Sequence, residues 1–435
     1  MAIANRKAEC LDMEARGQQQ LERLQSSLNR ANRSVPFYRN RFQEQGFDPA
    51  QVESFADLAR IPFTERDHLG DNYPYGLFAV PLRDIVRIHS APGSGLKPTV
   101  SGYAKQDLIF WRELVSRSLV ASGVTAADVL QIVLDPGLAN WGWDYKDGAE
   151  AVEASVIPLS ALPPEKQLMI LSDYKTSVLI TTPMAALELS QLLFNANLNP
   201  NTLALKTIIL VGELGDPQVR IQLADQLHVQ TWVHYGLSEV PGPALAFECE
   251  VRHGLHVSED HFFPEIVHPG TGQVLPEGEV GELVLTTLTT RAYPLVRFRT
   301  GDRARLMSEP CPCGRTLRRL EWFAERTDDM VVVRGVKLHH RHILLVLERE
   351  LGFLPERQRL LVVRRGFEDS LEIWLCVDDQ VFSDEIKVME QLVGDLREEL
   401  SQELKVPVNI RLKEKGSFVF PAPPALIEDR RSIEG

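Results

Sequence analysis

The sequence predicts an α/β protein. A large N-terminal domain carries mostly parallel sheets and a small β subdomain, and a small α+β C-terminal domain follows. Three observations carry this expectation. Between about residues 129 and 240, short apolar runs alternate with helix-like segments, the rhythm of parallel strands covered on both faces. Residues 243–307 change to short strands and turns. After about residue 328 the order becomes βαββαβ, as in a compact α+β unit. At 435 residues the chain exceeds one comfortable hydrophobic core, so two domains are expected, 1–327 and a mobile 328–435.

The elements follow in order. Residues 14–32 read as a helix with Leu21, Leu24 and Leu28 on one face. Ser34-Val-Pro-Phe-Tyr38 breaks it, because proline disfavours helix in the residue before it. Residues 86–100 read as a Gly/Ser/Pro loop, followed by a helix over about 105–122. Strand-like runs at Val129–Leu134, Ser155–Leu159, Ser177–Thr182, Thr207–Val211 and Val229–Val233 alternate with helices at 146–154, 163–173, 184–195 and 217–227. Residues 243–307 predict a distorted barrel or small antiparallel sheet beside the main one. The C-terminal part reads as strand Met330–Val333, helix His342–Leu351, strands Arg359–Val363 and Leu371–Val377, helix 384–403 and strand Val408–Leu412.

Composition narrows the function classes. Forty-seven basic against 60 acidic residues give a net charge of −13, with no basic run, which argues against nucleic acid as the main partner. No stretch approaches the ~18 apolar residues of a membrane helix. The polar segment Met1–Arg23 lacks the apolar core of a secretion signal, so no membrane partner and a cytoplasmic location are expected. Five sparse cysteines make no disulfide framework.

Four motifs carry chemistry. His89-Ser-Ala-Pro-Gly-Ser-Gly-Leu-Lys-Pro-Thr99 is a loop in which glycines admit an anion to backbone N–H groups, Ser94 supplies a hydroxyl and Lys97 a charge. Taken alone it reads first as a surface loop. His234-Tyr-Gly-Leu-Ser-Glu239 follows an apolar strand, where parallel sheets bind ligands. Tyr235 suits stacking on a base, Ser238 a phosphate, and Glu239 a hard cation such as magnesium. In Arg297-Phe-Arg-Thr-Gly-Asp302, Asp302 follows a Thr-Gly turn and is placed to accept hydrogen bonds from ribose hydroxyls; the plainer reading is an ordinary aspartate turn. Arg326-Thr-Asp-Asp-Met330 and Val333-Arg-Gly-Val336 open the C-terminal domain.

Together these motifs resemble the adenylate-forming superfamily, and its phenylacetate–coenzyme A ligase branch in particular. Val35-Pro-Phe-Tyr-Arg39, Ile61-Pro-Phe-Thr64, Asp71-Asn-Tyr-Pro-Tyr-Gly-Leu-Phe-Ala-Val-Pro81 and Gly254-Leu-His-Val-Ser-Glu-Asp-His261 support that branch, and the likeness runs from about residue 33 to 418. The resemblance implies an ATP- and Mg²⁺-dependent ligase that adenylates a small carboxylic acid and passes the acyl group to coenzyme A. It also implies a homodimer. By motif match, Gly212 and Glu213 border the adenine, Tyr235 and Gly236 stack on and cradle it, and Ser238 touches the phosphate. Glu239 takes the magnesium, Asp302 the ribose, and Arg326 reaches the nucleotide, with Asp328 at the hinge. Glu239 and Lys97 are the expected catalytic residues.

Two positions depart from the family. Its phosphate loop reads roughly Ser-Ser-Gly-Thr-Thr-Gly-Lys, whereas this chain has Ala91-Pro-Gly-Ser-Gly-Leu-Lys97. Pro92 removes a donor, Gly95 a hydroxyl, and Leu96 replaces a glycine. The family lysine that follows a Gly-Ser pair near the C-terminus has no counterpart after Gly416-Ser417. Slow adenylation is therefore expected. The alternatives are a catalytically degenerate nucleotide-binding homologue, or adenylation of an acceptor other than coenzyme A.

Two further sites follow. Cys311-Pro-Cys313 with Cys249 and either His253 or His256 supplies four ligands for a closed structural zinc site, and the resemblance selects His256. Asp135-Pro-Gly-Leu-Ala-Asn-Trp-Gly-Trp-Asp-Tyr-Lys-Asp-Gly148 matches the family's acyl pocket. Trp141, Trp143 and Tyr145 suit an aromatic acid if they are not simply core. Lys146-Asp147 replaces a His-Tyr pair, which implies a more polar or larger acid.

Overall fold

The computed structural model describes residues 2–134, 139–158, 162–214, 217–240, 242–354, 358–366, 368–376, 386–413 and 426–431. The chain forms two compact units. One comprises Met1–Ala91, Thr99–Leu134 and Leu138–Thr327; the other comprises Pro92–Pro98, Asp135–Gly137 and Asp328–Gly435.

In the larger unit, helix Met13–Ser34 is capped by Asp12, whose side chain accepts from the Ala15 N–H. Leu24, Leu28 and Ala31 are fully buried along one face. Each leucine contributes about 1.5–3 kcal/mol relative to exposure. Val35 takes an extended conformation, and Pro36 opens the next helix, Pro36–Glu44.

Strands β1 (Ile85–Ala91) and β2 (Thr99–Ala104) form an antiparallel hairpin. A loop was expected across most of this stretch. Val86 and Ile88 of β1 are about half exposed, so the strand shows no apolar-inward alternation in sequence. Helix Lys105–Ala121 follows.

The main sheet begins with β3 (Val129–Val133), β4 (Ser155–Ile157), β5 (Val178–Thr181), β6 (Thr207–Leu210) and β7 (Gln230–Tyr235), all parallel. Every residue of β5 and β6 is buried, which accounts for their unbroken apolar runs. Helix Ala139–Ala151 starts earlier than the sequence predicts. Its aromatic residues read as pocket wall and masked the helical period.

The strands after residue 243 are β8 (Ala246–Phe247), β9 (Leu255–Val257), β10 (Phe262–Val267), β11 (Gly281–Thr287), β12 (Phe298–Met307) and β13 (Arg319–Arg326). Contrary to expectation they are not a separate sheet. Among the described residues eleven strands make one sheet in the order β10-β11-β12-β13-β9-β8-β7-β6-β5-β3-β4. Strand β7 pairs parallel with β6 and antiparallel with β8, so the two halves join through it.

In the second unit β14 (Met330–Val333) and β15 (Val336–His339) form a hairpin. Helix His340–Leu351 follows, ended by Gly352 at φ +75°. Strands β16 (Gln358–Arg365), β17 (Glu368–Cys376), β18 (Val408–Lys413) and β19 (Glu428–Asp429) make a sheet in the order β18-β17-β16-β19. The short β19 was not expected. Val333, Ile343, Val346, Leu347, Val362, Leu371 and Leu400 form its core. Gly416-Ser417 and the stretch up to 425 lie outside the described residues, as does 135–138. Among the described residues no helix is long and apolar enough to cross a membrane.

Candidate active site and metal centre

Strands β6 and β7 run parallel and adjacent, so their carboxyl ends share one edge of the sheet. Gly212 and Glu213 follow β6, and Tyr235 and Gly236 end β7. The chain after Gly236 folds back tightly: a Cβ there would overlap the Gly242 carbonyl oxygen and Pro243. Gly212 sits at φ +89°, a conformation glycine adopts without strain.

Tyr235 is buried, and its hydroxyl donates to Asp302 Oδ2 at 2.6 Å. Burial, then the Asp302 charge, pushes the phenol well above its ordinary range. Its ring meets Trp322 edge-on at 4.8 Å between centroids. Asp302 lies within β12, where pairing with β11 and β13 is irregular, rather than in a free turn. Its Oδ1 accepts from Arg326, the residue opposite it on β13. Arg326 also donates to the Thr300 carbonyl at 2.7 Å.

Glu239 is completely buried and forms an ion pair with Arg66, itself 8% exposed. Arg66 donates in addition to the Thr300 carbonyl at 3.1 Å. Thr300 thus ties the Asp302–Arg326 pair to the Glu239–Arg66 pair. The Ser101 hydroxyl approaches the Ser238 carbonyl oxygen at 3.5 Å.

The expected residues Tyr235, Asp302 and Arg326 are in direct contact. Gly212, Glu213, Gly236, Ser238 and Glu239 lie on the two chain segments that leave the same sheet edge. Ser94 and Lys97 belong to the second unit, through the segment Pro92–Pro98, and Lys97 is exposed. Arg66, Thr300 and Trp322 escaped the sequence reading. Arg66 opens a short helix, Arg66–Asp71, and no local pattern distinguishes it from a surface arginine.

Helix Ala139–Ala151 places Tyr145 in the core, where its hydroxyl lies 2.9 Å from His234 Nδ1. His234 Nε2 lies 2.9 Å from the Ser122 hydroxyl, which donates to the Ser118 carbonyl. Trp141 is buried, but Trp143 is 58% exposed, so it is no pocket wall within the core. Lys146 pairs with Glu150 at 2.7 Å on the helix surface.

Cys249, His256, Cys311 and Cys313 converge. Their ligand atoms all lie within 4.8 Å of one another, and all four residues are buried. Cys249 Sγ is 3.6 Å from Cys311 Sγ, and Cys313 Sγ is 3.3 Å from His256 Nε2. Tetrahedral zinc with ordinary Zn–S and Zn–N lengths separates its ligand atoms by about 3.5–3.8 Å. His256 Nδ1 lies 3.0 Å from the Leu317 carbonyl oxygen, an acceptor only, so Nδ1 carries the proton and Nε2 turns its lone pair to the sulfurs. A hydrogen bond from Cys249 pushes the Cys313 thiol far down and Cys249 up. His253 sits instead beside Arg319, its carbonyl accepting at 2.7 Å.

No family model matches the chain. It is 39% identical over 403 residues to a phenylacetate–coenzyme A ligase of Thermus thermophilus, covering 91% of this chain and 90% of that protein. It is 35% identical over 414 residues to a phenylacetate–coenzyme A ligase of Pseudomonas putida, covering 94% and 93%. In fold it is similar to a solved 2-hydroxyisobutyryl-CoA ligase in complex with 2-HIB-AMP and CoA, with a TM-score of 0.91, 23% identity, and coverage of 98% and 92%. Identity of this degree with full-length relatives settles the lineage: the chain belongs to the phenylacetate–coenzyme A ligase family.

Proposed function

We propose that the protein is an ATP-dependent acid–coenzyme A ligase, joining a small carboxylic acid to coenzyme A through carboxylate adenylation and thioester formation. The carrying observation is its end-to-end similarity to curated phenylacetate–coenzyme A ligases. The site offers parts suited to a nucleotide. Gly212 and Gly236 stand at the carboxyl ends of two adjacent parallel strands, and a carboxylate, Asp302, is held by Tyr235 and Arg326. We assign Asp302 to the ribose, Arg326 and Ser238 to the phosphates, Tyr235 with Gly212, Glu213 and Gly236 to the base, and Glu239 to magnesium. Ser94 and Lys97 are assigned to the phosphates from the loop Pro92–Pro98. The second unit, Asp328–Gly435, is assigned the role of a mobile domain. Magnesium would neutralise phosphoryl oxygens there; Arg66 would hold the Glu239 carboxylate in place to receive it.

We assign Cys249, His256, Cys311 and Cys313 to structural zinc. Four protein ligands close the site, so it supplies rigidity rather than a reactive water. The reduced thiols fit a cytoplasmic location, and a homodimer is carried over from the family.

The test is thioester formation from ATP, coenzyme A and a panel of aryl and alkyl acids, followed chromatographically. Acyl-CoA product is expected, and its absence with every acid would sink the assignment. The altered loop and the missing lysine favour a second reading, in which adenylation has slowed or been lost. ATP binding without pyrophosphate exchange would support it.

A further inference from the structure

The segment that carries Arg66 is fixed to β12 by backbone pairing, Thr64 bridging to Phe298. The Thr64 N–H donates to the Arg297 carbonyl at 3.0 Å, and the Thr64 carbonyl accepts from the Arg299 N–H at 2.9 Å. The Arg66 guanidinium carbon lies 5.6 Å from the centroid of the Phe298 ring. From that seat Arg66 pairs with Glu239 and donates to the Thr300 carbonyl at 3.1 Å. Arg326 donates to the same carbonyl at 2.7 Å and pairs with Asp302. Two guanidinium groups therefore converge on one backbone oxygen of β12, each paired with a carboxylate.

Glu239 is completely buried, and a buried carboxylate is costly without a counter-charge. Arg66 supplies that charge. A divalent cation arriving alone meets a ligand that already holds a guanidinium, and like charges repel strongly where water is scarce. Magnesium also sheds its waters reluctantly and binds through one or two carboxylates together with substrate phosphates. A cation that arrives with phosphates changes the balance. It brings anionic oxygens to which a displaced guanidinium can turn, and the planar fork of arginine matches their geometry.

We propose that Arg66 is a positioning residue that makes metal binding depend on nucleotide. It competes with a divalent cation for Glu239 and yields the carboxylate only to a cation that comes with phosphates, which then receive its guanidinium. An arginine that merely steadied Glu239 would help any cation; one that competes for it penalises a cation that comes alone. The sequence gives such a residue a second use. The loop Ala91–Lys97 departs from the family pattern and no lysine follows Gly416-Ser417, so a guanidinium turned to the phosphates restores part of the missing positive charge.

The proposal rests on the ligase reading, which assigns Glu239 to magnesium, and one set of measurements separates the two. Mn²⁺, a paramagnetic stand-in for magnesium, is titrated into the full chain without nucleotide and followed by electron paramagnetic resonance. Calorimetry measures MgATP binding, and acyl-CoA formation is followed in parallel. Arg66→Gln is expected to tighten Mn²⁺ binding and to weaken MgATP binding, each by ~10-fold or more. Adding Glu239→Gln should abolish the gain in Mn²⁺ affinity, and Arg66→Lys, which keeps the charge, should stay near the wild type. Where Arg66→Gln folds poorly, Mn²⁺ should raise its urea midpoint and leave that of the wild type unchanged. Mn²⁺ affinity that is unchanged or weaker in Arg66→Gln, MgATP affinity that does not fall, or no rescue of the midpoint overturns the proposal. Opposite shifts with no acyl-CoA from the wild type and any acid sink the ligase reading and keep the competition. Acyl-CoA from the wild type without a shift in Mn²⁺ binding does the reverse.

Discussion

At the scale of single residues, the site depends on ion pairs the sequence does not advertise. Glu239 was legible from its motif, but the arginine beside it lies 173 residues away in sequence. Buried charges are costly when one partner is removed. Arg66→Met is therefore expected to destabilise the fold by about 3–5 kcal/mol, read as a lowered denaturant midpoint. Arg66→Met with Glu239→Gln should recover much of that loss. A second prediction concerns His234. Burial lowers its pKa from 6.5 to about 3, with the Ser118 carbonyl acting the other way. The unfolded chain then binds a proton below about pH 6.5 that the folded chain refuses until about 3. Stability from this residue is complete above that window and falls as pH drops through it, by ~1.4 kcal/mol per pH unit. His234→Gln retains a donor and an acceptor for Tyr145 and Ser122, and it should flatten the dependence of the urea midpoint between pH 6.5 and 4. An equally steep dependence in the variant would assign the slope to other groups.

At the scale of elements, the Cys249–His256–Cys311–Cys313 cluster shows what a pattern of residue types discloses and what it conceals. The cysteine pair and the Gly-Leu-His stretch were visible in sequence. The segment fastened beside them was not. Arg315, two residues past Cys313, donates to Glu9 at 2.6 Å and to the Ala2 carbonyl at 2.7 Å, and its backbone N–H approaches Cys313 Sγ at 3.4 Å. Thr316 N–H donates to the Glu9 carbonyl at 3.0 Å. Cys311→Ser, or prolonged treatment with a strong chelator, is therefore expected to release zinc and loosen residues 2–16. Elemental analysis would read the first effect and faster hydrogen exchange of that segment the second. Unchanged exchange on complete zinc loss would detach the two. The same limit applied to the sheet. Strands were legible where both faces are buried, as in β5 and β6, because burial writes an unbroken apolar run. The merging of β8–β13 with the parallel strands was not legible, because it depends on a pairing across β7 that no local pattern records.

At the scale of the whole molecule, the lineage and the chemistry separate. Motifs spread over most of the chain made the family legible, and nine-tenths coverage of the relatives bears it out. By the proposed assignment, the two departures from the family's sequence pattern fall on the phosphate chemistry of the first half-reaction. In the loop, a Cβ on Gly93 would overlap the Lys97 carbonyl, so the chain closes tightly on itself there even with Pro92 and Leu96 in place. Residues 418–426 hold no lysine where the family has one. Charge develops on the phosphate during adenylation, whereas thioester formation from a finished acyl-adenylate requires the thiol to reach a carbonyl. Loss of one preorganised donor to developing charge costs roughly 10²–10³-fold in rate. The two half-reactions should therefore respond unequally. Supplied with synthetic acyl-adenylate and coenzyme A, the protein should form thioester about 10²-fold or more faster than it does from free acid and ATP. Comparable rates from both starting points would show that another group has taken over the role of the lysine, and the loop variant Leu96→Gly should then change neither rate.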